Sequence, residues 1–250
     1  MDQNKFVGSY DFVVEPFTED FQSSMSWSNF ANIFLRVAQY HAGSHGFGFG
    51  PMSKENLGWV FSRFIIDMQR RPKTGEKFRV RTWVSGIFHQ FTSRLFDVSD
   101  EAGNVYGHAY SIWALIDLAT RQPMDLLNLP NGSFADCVVP TTDFPISGPA
   151  RFAMKSTEPA FSRTAKYSDL DVNGHVNSVR TIEMVLDLFP KEQYEQKRVR
   201  RIDMAYAHEA FCGERLDFFV DDAGSDVFNV CVKREGGQIT TKSQITFEPR

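Results

Sequence analysis

The chain runs through one structural plan twice, and that repetition narrows its possible folds more than any other feature. In the first pass, residues 10–14 read as a short strand. A helix follows, carrying Trp27, Phe30, Ile33, Phe34, Val37 and Tyr40 on one face at helical spacing. Alternating runs then cover residues 59–69, 77–88, 91–98 and 106–118. In the second pass the strand is 161–167, and the helix carries Val176, Val179, Ile182, Val185, Leu186 and Phe189. Its strands are 198–208, 215–221, 227–233 and 238–247. Glycine-bearing turns separate strands in both passes, at Asp100-Glu101-Ala102-Gly103, Asp222-Ala223-Gly224 and Glu235-Gly236-Gly237. Short echoes fall at nearly constant spacing: Ile66-Asp67-Met68 answers Ile202-Asp203-Met204 (202 − 66 = 136), and Gly75-Glu76 answers Gly213-Glu214 (214 − 76 = 138). These features indicate a diverged duplication.

A long helix laid on a curved antiparallel sheet is the hotdog unit, so the expected fold class is α+β, a tandem double hotdog. One such unit leaves an open sheet edge, which a second unit can pair away within the same chain. The expected division is an N-terminal hotdog at 1–120, a linker at 121–159 and a C-terminal hotdog at 160–250. The linker assignment rests on its six prolines, Pro123, Pro130, Pro140, Pro145, Pro149 and Pro159, which read as a surface run with one short turn at 124–127.

Bulk properties exclude several function classes. The net charge of −4 argues against a general nucleic-acid binder. Cys137, Cys212 and Cys231 are odd in number and form no Cys-x-x-Cys pair, so neither a disulfide framework nor a zinc knuckle is expected. The N-terminus lacks a basic region followed by an apolar run, and no stretch of about 18 apolar residues occurs. The expectation is a cytoplasmic protein without a membrane span. The 24 Phe are consistent with a broad apolar interior able to hold a greasy ligand.

The chemistry concentrates in one stretch, Ser168-Asp169-Leu170-Asp171-Val172-Asn173-Gly174-His175-Val176-Asn177, at a strand-to-helix junction. Asp171, Asn173 and His175 place an acid, an amide and an imidazole within five residues. His175 is the first candidate for a general acid/base or for the group that holds an attacking water. Asn173 can position water or substrate at any pH. Asp171 is expected to orient these two through hydrogen bonds, or else to cap the helix. Backbone N–H groups near Val176 and Asn177 are candidates for an oxyanion hole. The corresponding junction of the first half, FQSSMSWSN at 21–29, has no His and no Asp. The first half also has a longer helix-to-strand connection, whose segment HAGSHGFGFG (41–50) reads as a flexible lid or a plain surface loop. His41, His45, His89 and His108 show no metal-ligand spacing and receive no role. No G-x-S-x-G elbow occurs. No metal or cofactor is expected.

Two segments resemble the acyl-carrier-protein thioesterases of plant plastids and their bacterial relatives: GWVFSRFIIDMQRRPKTGEKFRVRTWVSG (58–86) and SDLDVNGHVNSVRTIEMVLDLFP (168–190). The resemblance spans residues 6–247. It implies hydrolysis of fatty acyl thioesters to free fatty acid and holo-acyl carrier protein, with the N-terminal half holding the chain and the C-terminal half doing the chemistry. It also implies a further catalytic acid after the second helix, which the segment Met204 to Ala210 puts at Glu209. A cysteine often follows that glutamate in the family; here Ala210 does, and Cys212 lies two further on, so direct attack by water is favoured over a cysteine nucleophile.

The implied partner, acylated carrier protein, is acidic, so docking calls for a basic patch. Lys197-Arg198-Val199-Arg200-Arg201 and Arg70-Arg71-Pro72-Lys73 are the candidates, with a solvated strand face as the plain alternative. The reading leaves room for a homodimer. Its alternatives are an acyl-coenzyme A thioesterase and a non-catalytic hotdog sensor of acyl thioesters.

Overall fold

The structure is a computed structural model and describes residues 3–129 and 134–250. The chain divides into two units, Met1–Ser62 with Met68–Ser147, and Arg63–Asp67 with Gly148–Arg250.

In the first unit, β1 (Gly8–Val13), β3 (Lys77–Phe88), β4 (Phe91–Ser99) and β5 (Val105–Asp117) lie side by side in that order, with β2 (Leu57–Met68) beyond β5. The pairings of β1 with β3, β3 with β4 and β4 with β5 are all antiparallel. Helix α1 (Trp27–Ser44) starts at Ser26, whose hydroxyl accepts from Asn29 N. It lays Phe30 against Phe78 (ring centroids 6.2 Å apart) and Phe34 against Phe96 (5.2 Å). Phe30, Phe34, Val37, Phe78, Val80, Phe96 and Val98 are all buried. At roughly 1.5–3 kcal/mol for each large apolar side chain removed from water, this interface is the main stabilising contact of the unit.

In the second unit, β7 (Lys197–Tyr206), β10 (Ile239–Pro249), β9 (Val227–Arg234), β8 (Arg215–Gly224) and β6 (Phe161–Thr164) lie side by side in that order. The segment Arg63–Asp67 pairs antiparallel with β7 and sets Ile66 opposite Ile202. Helix α3 (Ser178–Leu186) buries Val179, Ile182 and Val185. Phe189, just past its end, packs on Phe228 and Phe247 at centroid distances of 5.0 and 5.1 Å.

Several expectations need correction. Tyr40 is 54% exposed, because it sits at the edge of the apolar stripe of α1. Residues 41–50 are not one open loop: His41 to Ser44 complete α1, and Phe49 and Gly50 begin α2 (Phe49–Lys54). The proline-rich connection is not confined to the surface, since Leu126, Leu129, Phe134 and Cys137 are buried in an apolar cluster with Phe47, Met52, Leu57, Val84 and Leu115. Pro130 lies outside the described residues. The second helix begins only at Ser178, because Val176 forms a β-bridge with Leu170. A second short helix, α4 (Lys191–Gln196), had no counterpart in the apolar pattern, and none of its residues is buried. No helix among the described residues is long and apolar enough to cross a membrane.

Candidate active site

The turn from residue 171 to 175 is closed by its own polar groups. Asp171 Oδ1 accepts from the backbone N–H of Asn173 at 2.8 Å and of His175 at 3.2 Å, while Asp171 N donates to His175 O at 2.8 Å. Asp171 is therefore the organiser of a tight turn rather than a helix cap. Gly174 closes the turn at φ +76°, a conformation that disfavours any side chain. The cap of α3 is Asn177, whose Oδ1 accepts from Val179 N at 2.7 Å and Arg180 N at 3.3 Å. Behind the cap, the buried Tyr206 hydroxyl donates to Ser178 O at 2.9 Å, and burial holds that phenol above its ordinary pKa, so it stays a neutral donor.

A residue quoted within the motif but given no role proves to be the turn's inner anchor. Asp169 is wholly buried. Its Oδ2 accepts from Arg163 Nη2 at 2.7 Å and Lys166 N at 2.8 Å, Arg180 Nη2 stands 3.8 Å from Oδ1, and its backbone carbonyl accepts from Asn177 N at 2.8 Å.

The turn meets the loop that follows β7. Val176 N donates to Ala210 O at 2.8 Å, and His175 forms an antiparallel bridge with Phe211. The strand expected over 198–208 ends at Tyr206, so Glu209 is on this loop and strand alternation does not set its direction. The pairing brings His175 Nδ1 to 3.4 Å from Glu209 Oε1, and the Phe211 ring stands edge-on to the imidazole at 5.2 Å. Both partners are partly exposed, so water can reach them. Arg234 braces the loop, donating to Glu209 O at 3.2 Å and lying 3.4 Å from Glu214 Oε1. Asn173 is exposed, and its carboxamide makes no hydrogen bond among the described residues.

Of the four residues singled out, Asp171 and His175 are thus joined through the turn and His175 and Glu209 through their side chains, whereas Asn173 is tied in by its backbone alone. The expected oxyanion donors do not survive: Val176 N and Asn177 N are both already bonded, to Ala210 O and Asp169 O. Cys212 turns its thiol toward Ala165 O at 3.9 Å, and His208 Nδ1 lies 2.9 Å from Ile239 O. No three His, Cys, Asp or Glu side chains among the described residues gather as a metal-ligand set.

The basic clusters also differ from expectation. Lys197 pairs with Asp226, Arg198 with Glu248, Arg200 with Asp67 and Arg201 with Asp67 and Asp203. Arg70 pairs with Glu76 and Arg71 with Asp20. These carboxylates neutralise most of the positive charge that the sequence alone displays there.

An antiparallel sheet carrying a helix in each unit, eighteen residues long in α1 and nine in α3, defines a double-hotdog thioesterase fold of the α+β class. The solved acyl-ACP thioesterase of Bacteroides thetaiotaomicron superposes with a TM-score of 0.91 at 42% identity, over 99% of this chain and 100% of that one. The 12:0-ACP thioesterase of Umbellularia californica shares the fold (TM-score 0.83, 22% identity, 98% of each chain). Residues 3–128 match the acyl-ACP thioesterase N-terminal domain and residues 154–249 the C-terminal domain. The chain belongs to the acyl-ACP thioesterase family. Among plant relatives, an acyl-[acyl-carrier-protein] hydrolase of Cuphea viscosissima is 29% identical over 80% of this chain and 55% of its own length. A palmitoyl-acyl carrier protein thioesterase of Gossypium hirsutum is 28% identical over 84% and 53%. The chain spans about half the length of these chloroplastic relatives.

Proposed function

We propose that the protein hydrolyses fatty acyl-acyl carrier protein thioesters to free fatty acid and holo-acyl carrier protein, through water attack at Asp171, Asn173, His175 and Glu209. The observation that carries this reading is the 3.4 Å approach of His175 Nδ1 to the Glu209 carboxylate in a member of this family. A proton on Nδ1 facing Glu209 leaves the lone pair on Nε2, the arrangement a general base needs.

In this reading Nε2 takes a proton from water as the water oxygen bonds to the carbonyl carbon, and Glu209 stabilises the imidazolium. The unengaged Asn173 carboxamide donates to the developing oxyanion, in place of the occupied backbone amides. Collapse of the tetrahedral intermediate breaks the C–S bond. The imidazolium returns its proton to the departing sulfur, a good leaving group because thiols ionise near pH 8.5. Asp171 acts at one remove by fixing the backbone of Asn173 and His175. The first unit grips the acyl chain in this scheme, a role supported by the absence of His and Asp at residues 21–29.

The test is release of free thiol from acyl carrier protein and coenzyme A thioesters of graded chain length. Asn173→Ala, His175→Ala and Glu209→Ala should each lower kcat by at least about a hundredfold, the usual scale for general acid–base groups. Unchanged rates in all three variants would remove the site. Turnover of coenzyme A esters alone would make the protein an acyl-coenzyme A thioesterase, and no turnover of any ester would restore the sensor reading.

A further inference from the structure

Beside α1 the first unit has a cavity of about 70 Å³ whose cationic floor pairs with no carboxylate among the described residues. Arg94, in the middle of β4, is 4% exposed. Among the described residues its guanidinium bonds two neutral groups through a single nitrogen: Nη1 lies 3.1 Å from His41 Nδ1 and donates to Thr82 Oγ1 at 3.2 Å. His41 Nε2 stands 3.0 Å from Phe6 O, so that nitrogen carries the proton and Nδ1 offers Arg94 a lone pair. The other polar groups that Arg94 senses, Tyr10 and Cys137, are pushed by burial above their ordinary pKa values and stay uncharged at neutral pH. Among the described residues, no hydrogen bond engages Nε or Nη2. Arg94 lines the cavity together with Ala38, Ala42, Trp59, Trp113 and Phe134.

An isolated buried cation is expensive, and a carboxylate on its open fork would relieve that cost with two parallel charge-assisted bonds. We propose that this cavity is a binding site for an aliphatic carboxylate, its two oxygens on the Nε–Nη2 edge of Arg94 and its chain along Trp59, Trp113 and the apolar side chains of α1. Such a ligand has two sources: a released fatty acid, or an acyl chain with a carboxyl group at its far end. The site stands apart from the catalytic reading of the second unit, because it is detected by binding and not by turnover.

The experiment titrates the full chain with octanoate and with octanol, following tryptophan fluorescence, since Trp59 and Trp113 line the cavity. Octanoate should bind at least about tenfold more tightly than octanol. Arg94→Met should erase that preference while still binding octanol, and should melt no lower than the parent because it removes an unpaired buried charge. Ala42→Leu, which fills the cavity and keeps Arg94, should weaken both ligands. Displacement of octanoate by an eight-carbon thioester ending in a carboxyl, but not by one ending in a methyl, assigns the ligand to the substrate; displacement by neither assigns it to the released acid. Equal affinity for octanoate and octanol, or an octanoate preference that persists in Arg94→Met, would overturn the proposal.

Discussion

Replacing Asp169 with alanine is the sharpest test of how the turn is held. The carboxylate is wholly buried, accepts from Arg163 Nη2 at 2.7 Å and from Lys166 N at 2.8 Å, and has no exposed surface through which water could substitute. Truncation forfeits a charge-assisted hydrogen bond, about 1.5–3 kcal/mol, and strands the Lys166 N–H, about 1–3 kcal/mol. The Arg163 side chain is 28% exposed and recovers part of its loss from water, which lowers the sum to about 3 kcal/mol. For a chain of this size that corresponds to a fall in Tm of about 6–12 °C. Asp169→Asn keeps one carbonyl acceptor and should lose about half as much. Thermal unfolding followed by circular dichroism gives the shift, and amide exchange should quicken first over residues 165–177. If Asp169→Ala melts within about 2 °C of the parent, or above Asp169→Asn, the anchoring argument is wrong.

Asn177→Ala removes the cap of α3 and should lower stability by about 1 kcal/mol, with faster amide exchange at Val179 and Arg180. Burial and the neighbouring Arg94 hold His41 down to about 3, against an unfolded value near 6.5. Between those values only the unfolded chain takes the proton, so stability should fall as pH drops from 6.5 toward 3, by up to about 1.4 kcal/mol per pH unit, with no contribution above 6.5. His41→Asn should flatten that acid limb in urea titrations run from pH 7 to pH 4.5. Cys212→Ser should keep thioesterase activity within about twofold if water is the nucleophile, and a hundredfold loss would revive a cysteine mechanism.

Much of the fold was legible because strand alternation is a local signal. The run expected at 77–88 coincides with β3, Lys77–Phe88, and that expected at 91–98 falls one residue short of β4, Phe91–Ser99. Signals failed where the deciding contact is distant. Val176 carries the right spacing for the helix face, yet its N–H is taken by Ala210 and its backbone bridges Leu170, so the helix starts later. Leu126 and Phe134 sit among prolines and look like linker, but tertiary burial makes them core. In the site, Asp171 and His175 stand out by local spacing, whereas Glu209 came from resemblance and touches His175 only because two loops pair. Asp169 was invisible as an anchor because its burial depends on Arg163 and Arg180 closing over it.

The hydrogen bonds Val176 N to Ala210 O and Asn177 N to Asp169 O have a consequence for how this corner can evolve. Amides that brace a loop cannot also be lent to a guest. In the proposed mechanism carbonyl polarisation then falls to side chains, and a side chain can be exchanged in one mutational step while main-chain amides cannot. If Asn173 serves the oxyanion as proposed, the distance between cutting a thioester and merely holding one is, on this scaffold, a single codon at position 173.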